Sequence, residues 1–287
     1  MSTTLQAALW MMGAVVSFTA MAIAGRALGG AFDTFEIMMY RSAFGLLVVL
    51  ILAFVTGCYR EIGTRVIRTH LFRNLFHFTG QNLWFFAVTV VPLAQVFALE
   101  FTTPLWVIVL SFLLLGERLT KVRALAAVMG FIGILIVARP SVEGLNAGIF
   151  AAAGCAVFFA LTYVFTKRLT RTETITAIMF YLTFFQLIFG LMAAGYDGDI
   201  ALPTRIALPW LILVACCGLI AHFCITKALT IAPATVVAPV DFARLPLVAV
   251  TAMLLYNEAI DIWVFVGAVI IFAGNYINIW FETRKSA

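Results

Sequence analysis

Four charged residues lie deep inside stretches that are otherwise apolar: Arg41, Glu100, Asp241 and Arg244. A charge at the centre of a bilayer costs on the order of 3 kcal/mol or more, so such side chains face a bundle interior or a water-filled cavity and mark a pathway or a binding site. Two acids and two bases sum to zero, which a low-dielectric interior favours. Asp241 and Arg244 stand three apart on one helical face and can pair locally, which leaves Glu100 as the expected partner of Arg41. Two kinds of chemistry fit these types. An arginine can grip an anionic group on a solute, or an acid can gain and lose a proton as a cavity alternates between sides. Ion pairs that only fix helix packing are the third use.

More polar residues stand at the same depth. Within 71–90 the chain carries Arg73, Asn74, His77, Gln81 and Asn82, and His77, Gln81 and Trp84 follow each other at steps of four and three, one stripe of a helix. A polar stripe on a membrane helix faces protein or water, so this segment is expected to line a cavity. Aromatic residues crowd the same level, with Tyr40, Phe101 and Trp106 in the first half and Tyr181 and Phe242 in the second. An aromatic wall suits a planar or cationic solute through stacking and quadrupole attraction, although aromatic residues also serve as plain packing. Trp10, Trp210, Trp263 and Trp280 stand towards segment ends and read as interface anchors. No nucleophile with a paired base, no zinc-protease motif and no phosphate-binding glycine loop occurs, so the chain reads as a non-enzyme without cofactor, and its five cysteines show no metal-ligand spacing.

The elements that must hold these residues are membrane helices. The chain is 64% hydrophobic and 11% charged, with a mean hydropathy of +1.11, too few charges to clothe a soluble core. Segments of about 20 apolar residues, the length that crosses a bilayer, are expected at 5–26, 34–57, 71–90, 92–115, 121–139, 147–166, 174–195, 207–229, 233–256 and 261–281. Pro92 and Pro233 end one helix and open the next in tight connections. Met1 to Gln6 has no basic residue, so the first segment reads as a retained span rather than a cleaved leader.

The chain also matches itself without a gap when shifted by 141 positions. Gly13 falls on Gly154, Arg26 on Lys167, Tyr40 on Tyr181, Pro92 on Pro233, Glu100 on Asp241, Phe101 on Phe242, Glu117 on Glu258 and Gly133 on Gly274. Loop charges behave oppositely, since Arg118, Lys121 and Arg123 fall on Ala259, Ile262 and Val264. Thirteen Lys and Arg fall in loops on one side and three on the other, which puts both termini in the cytoplasm. Because the basic residues lie in short loops rather than on one face, they read as topology signals, not as a nucleic-acid surface. Each half has an odd number of spans, so the second half is inverted. The expected fold is therefore all-α integral membrane, with residues 1–140 and 147–287 as two inverted five-helix repeats.

Residues 87–140 contain Pro92, Phe101-Thr102-Thr103-Pro104-Leu105-Trp106 and Leu115-Gly116-Glu117-Arg118-Leu119-Thr120, with a weaker second copy running through Pro233 and Asn257-Glu258 to Gly274. Together these resemble the paired EamA domains of the drug/metabolite transporter superfamily, across essentially the whole chain. The resemblance implies a ten-helix transporter of small organic solutes in the plasma membrane, with lipids and a small-molecule solute as its partners. The expected function is secondary transport of a zwitterionic or ring-bearing metabolite by alternating access, with the proton as candidate coupling ion. A facilitator or exchanger is the alternative, followed by an intramembrane lipid-handling enzyme or a sensor.

Overall fold

The computed structural model describes residues 2–28, 32–63, 65–90, 96, 99–117, 120–138, 146–196, 198–244, 247, 250, 254 and 262–285. Among them the α-helices are α1 (Thr3–Ala27), α2 (Thr34–Val55), α3 (Ile67–Val90), α4 (Thr103–Leu115) and α5 (Lys121–Ala138), then α6 (Ala147–Leu169), α7 (Ile175–Ala194), α8 (Leu208–Ile231), α9 (Ala234–Val237) and α10 (Ile262–Lys285). A 3-10 turn spans Cys58–Ile62 and a 3-10 segment, Ala238–Ala243, continues α9. By length and composition α1, α2, α6, α7 and α8 can each cross a bilayer. The chain is an all-α membrane protein.

Helix starts follow local chemistry. Asp33 and Glu36 form a reciprocal capping box at the head of α2. Asn146 and Thr174 cap α6 and α7 through their side chains. Pro104 and Pro209 stand in the first turns of α4 and α8, where a missing N–H leaves no bond unmade.

The packing is two-fold. Helices α1 and α8 run along each other, as do α3 and α6. The shift of 141 turns α1 into α6 and α8 into α3, so this is one interface built twice. A β-carbon on Gly13 would meet Cys224 Sγ at 3.0 Å, and one on Gly154 would meet Leu83 Cδ1 at 3.4 Å; these are the same two positions in each repeat. Helix α5 crosses α10 and α2 packs on α7, each pair being its own counterpart. At the first crossing a β-carbon on Gly133 would come 2.8 Å from the Gly267 carbonyl, and one on Gly274 would come 3.1 Å from the Ala126 carbonyl, again equivalent positions. Small residues let the backbones approach this closely, the usual basis of helix association in lipid.

Three expectations change in the structure. The spans at 92–115 and 233–256 are not continuous α-helices: a turn at Phe101-Thr102 precedes α4, and the second tightens into the 3-10 segment after only four α-helical residues. Pro104 and Pro239, which cannot donate to a helical ladder, stand at these breaks. Threonine hydroxyls bond the freed carbonyls, Thr102 Oγ1 to Leu99 O and Thr103 Oγ1 to Glu100 O. Helix α3 begins at Ile67, earlier than position 71, which draws Arg73 out of the loop count into a buried helical site. Lys227 likewise belongs to α8. Pro92, Arg118, Pro140, Asn257 and Glu258 lie outside the described residues.

Candidate functional site

The two helix breaks meet at the centre of the bundle. Phe101 and Phe242, equivalent in the repeat, face each other with ring centroids 6.4 Å apart, both fully buried. Equivalent residues can touch only on the pseudo-two-fold axis, so this pair marks it.

A cavity of about 160 Å³ lies on the same axis. Its wall is built from equivalent positions of both repeats: Phe18 with Phe159, Met21 with Thr162, Gln81 with His222, Trp84 with Ile225, Glu100 with Asp241 and Thr103 with Arg244. It is mostly apolar and aromatic, with a few convergent polar groups, the usual make-up of a small-molecule site.

One end of the cavity holds the acids. Glu100 Oε1 accepts from Arg244 Nη2 at 2.5 Å and Glu100 Oε2 from the Trp84 indole at 2.6 Å. Asp241 Oδ2 lies 3.4 Å from the same Arg244 nitrogen. The guanidinium is further held over the rings of Phe101 and Phe18, at 4.8 and 5.5 Å. Asp241 Oδ1 and the Tyr163 hydroxyl are buried there without a hydrogen-bond partner among the described residues. The expected local pair of Asp241 with Arg244 is present. The expected pairing of Glu100 with Arg41 is not, because the α4 break turns Glu100 towards the equivalent break in the other repeat, where Arg244 reaches it.

The other end is basic. Arg41 and Arg73 both line it. Arg73 donates from Nε to Thr166 Oγ1 at 3.1 Å and from Nη1 to Asn74 Oδ1 at 2.8 Å. His77 and His222 stand edge to face, 4.6 Å apart, in the field of both arginines. Gln81 lines the wall between the ends. Arg41, Glu100, Asp241, Arg244, His77, Gln81 and Trp84 therefore share one cavity.

The remaining candidates stand elsewhere. Tyr40 donates to the Ala201 carbonyl at 2.7 Å and packs edge-on against Phe32, tying α2 to the connection before α8. Tyr181 stacks on Phe185 and meets His70 at a tilt of 39°. Trp106 is half exposed on the outer face of α4. Phe101 and Phe242 stand behind the wall as the axial pair. Sequence reasoning did not single out Arg73, Phe18 or Thr166 as site residues. The signal for Phe18 was its coincidence with Phe159 under the shift; that for Arg73 was its place four residues before His77 on the polar stripe. Among the described residues no group of three metal-ligating side chains occurs.

Two sets of hydrogen bonds join the helix ends near α4 and α6. Glu117 accepts from the backbone N–H groups of Ala234 and Thr235 and from the Thr235 hydroxyl, so it caps α9 from the turn that follows α4. Lys167 donates to the carbonyls of Leu229 and Ala232 at the end of α8, at 2.6 and 2.8 Å. Opposite charges thus meet opposite helix ends at the α8–α9 junction.

Comparison with known proteins agrees with this architecture. The model of the EamA-like transporter family matches residues 5–139 and again 146–280. The chain is 26% identical over 275 residues to an S-adenosylmethionine uptake transporter of Rickettsia felis, covering 96% of this chain and 92% of that one. It is 28% identical over 288 residues to a riboflavin transporter of Vibrio cholerae, covering 98% and 95%. A solved crystal structure superimposes with a TM-score of 0.82 at 18% identity, covering 98% of this chain and 99% of that one, a likeness of fold. With two copies of the family's domain filling its length and a shared cavity between them, the chain belongs to the EamA-like transporter family.

Proposed function

We propose that this protein carries a small zwitterionic or ring-bearing metabolite across the inner membrane by alternating access. Residues 1–140 and 147–287 are its two moving halves, and both termini are in the cytoplasm. The observation that carries the reading is the cavity on the pseudo-two-fold axis, walled by equivalent residues of both repeats. A site in that position can be exposed to either side by rocking one repeat against the other without being rebuilt. Relatives named for S-adenosylmethionine and riboflavin, both ring-bearing and the first zwitterionic, support the solute class.

Asp241 is the better candidate for a coupling proton than Glu100. One of its oxygens is buried with no hydrogen-bond partner among the described residues, whereas both oxygens of Glu100 already accept hydrogen bonds, from Arg244 and Trp84. The grip on Glu100 favours exchange or facilitated flux as the second reading. The deciding experiment is uptake of labelled S-adenosylmethionine, riboflavin and amino acids into proteoliposomes, with and without an imposed pH gradient. Saturable uptake that follows the gradient and loses that dependence in Asp241→Asn supports proton coupling. Saturable uptake indifferent to the gradient and to Asp241→Asn leaves the exchanger. No saturable uptake of any of these solutes overturns the transport reading for this class.

A further inference from the structure

The repeat does not carry the charges of the cavity's basic end across the axis. Where the first repeat has Arg73 the second has Val214, and where it has Arg41 the second has Leu182. The shared fold is therefore made without these charges. Arg41, among the described residues, forms no hydrogen bond or ion pair, while Arg73 bonds only the neutral groups of Thr166 and Asn74. The acids of the cavity are engaged at the far end by Arg244. Among the described residues neither nitrogen of His77 has a hydrogen-bond partner, nor does Nε2 of His222. Two neighbouring guanidiniums in the wall of a membrane cavity, with no carboxylate between them, serve packing poorly: like charges repel and each is stripped of water. Gly218 makes room for the arrangement, since a β-carbon there would come 2.8 Å from Arg41 Nε.

We propose that Arg41 and Arg73 form the subsite for a carboxylate on the solute, the group that supplies their missing counter-charge. The planar fork of a guanidinium matches a carboxylate in two hydrogen bonds, which suits the arginine pair to this task. The solute then lies with its carboxylate between the arginines and its ring against Phe18, Trp84 and Phe159. Its amino group lies at the free Asp241 oxygen and the Tyr163 hydroxyl. This orientation deepens the transport reading and rests on it for its meaning, but the subsite itself is tested by binding.

The test compares benzoate with benzamide, a ring bearing a carboxylate against its uncharged analogue, at matched ionic strength, by thermal unfolding of the purified full chain in detergent. Benzoate is expected to raise the unfolding midpoint and benzamide to leave it in place. In Arg41→Gln the apparent Kd for benzoate is expected to rise at least tenfold. The midpoint without ligand is expected to stay level or rise, because an uncompensated charge has been removed. Arg41→Lys keeps charge but not the fork and is expected to fall between the two. Equal effects of benzoate and benzamide, or an undiminished benzoate shift in Arg41→Gln, would overturn the proposal. Benzoate discrimination in a protein that transports nothing would remove the transport reading and leave the subsite standing.

Discussion

At the scale of single residues, the site is decided by which acid meets which base. Arg244 is shared by Glu100 and Asp241, and Trp84 Nε1 completes the shell of Glu100. Removing one partner of a buried ion pair costs about 3–5 kcal/mol, because the other charge is left unpaired. Glu100→Gln is therefore expected to lower the thermal unfolding midpoint clearly, whereas Arg41→Gln is not, since Arg41 has no partner to lose among the described residues. Differential scanning of the two variants side by side checks this, and a larger loss in Arg41→Gln would contradict the assignment of charges. The pairing of Asp241 with Arg244 was legible in the sequence because three positions on one helix fix the distance. The pairing of Glu100 was not, because its partner lies 144 positions away and the choice between two arginines depends on how far each helix is rotated.

At the scale of elements, the sequence motifs turn out to secure helix ends and crossings. The Leu115-Gly116-Glu117 element turns through Gly116, whose φ of 66° is in the left-handed region that glycine adopts freely, and so aims Glu117 at the head of α9. Glu117→Ala strips three hydrogen bonds from that head and is expected to cost about 1–2 kcal/mol. Faster hydrogen exchange over Ala234–Val237 in that variant would report the loss, and unchanged exchange there would refute the capping role. The α5–α10 crossing makes a graded test. A β-carbon on Gly133 would come 2.7 Å from Ile271 Cγ1 and 2.8 Å from a backbone oxygen, whereas on Gly274 the nearest atoms are at 3.0 and 3.1 Å. Gly133→Ala is expected to destabilise by about 1–3 kcal/mol, as overpacking does, and Gly274→Ala by less. Thermal midpoints in the opposite order would contradict the crossing geometry. That these glycines allow close contact was readable from their spacing. The breaks in the fourth and ninth spans were not, because alanine, valine and threonine read as apolar helix whether or not the ladder is interrupted.

At the scale of the whole molecule, the repeat decides topology. With Arg73 and Lys227 placed in helices, the basic residues divide eleven to three (thirteen less two), so the charge bias still favours the expected orientation. Green fluorescent protein fused after Ala287 is expected to fluoresce, and alkaline phosphatase placed in the connection between the repeats, near residue 143, to be active. A silent first fusion and an inactive second would reverse the orientation. The two-fold pairing of α1 with α8 and α3 with α6 also shows why the cavity is central: each of these pairs takes one helix from each repeat, so the axis, and the space along it, belongs to both.

The sequence by itself determined the membrane class, the repeat, and the set of charges and aromatics from which a site could be made. These are properties of composition and period, which survive translation along the chain. Only the tertiary structure decided that Glu100 belongs to Arg244, that Phe101 and Phe242 meet on the axis, that Tyr40, Tyr181 and Trp106 stand away from the cavity, and that Arg41 and Arg73 share its basic end. Those outcomes depend on helix rotation, crossing and two local breaks. In a bilayer, where apolar faces pack against lipid as readily as against protein, hydrophobicity alone cannot select them.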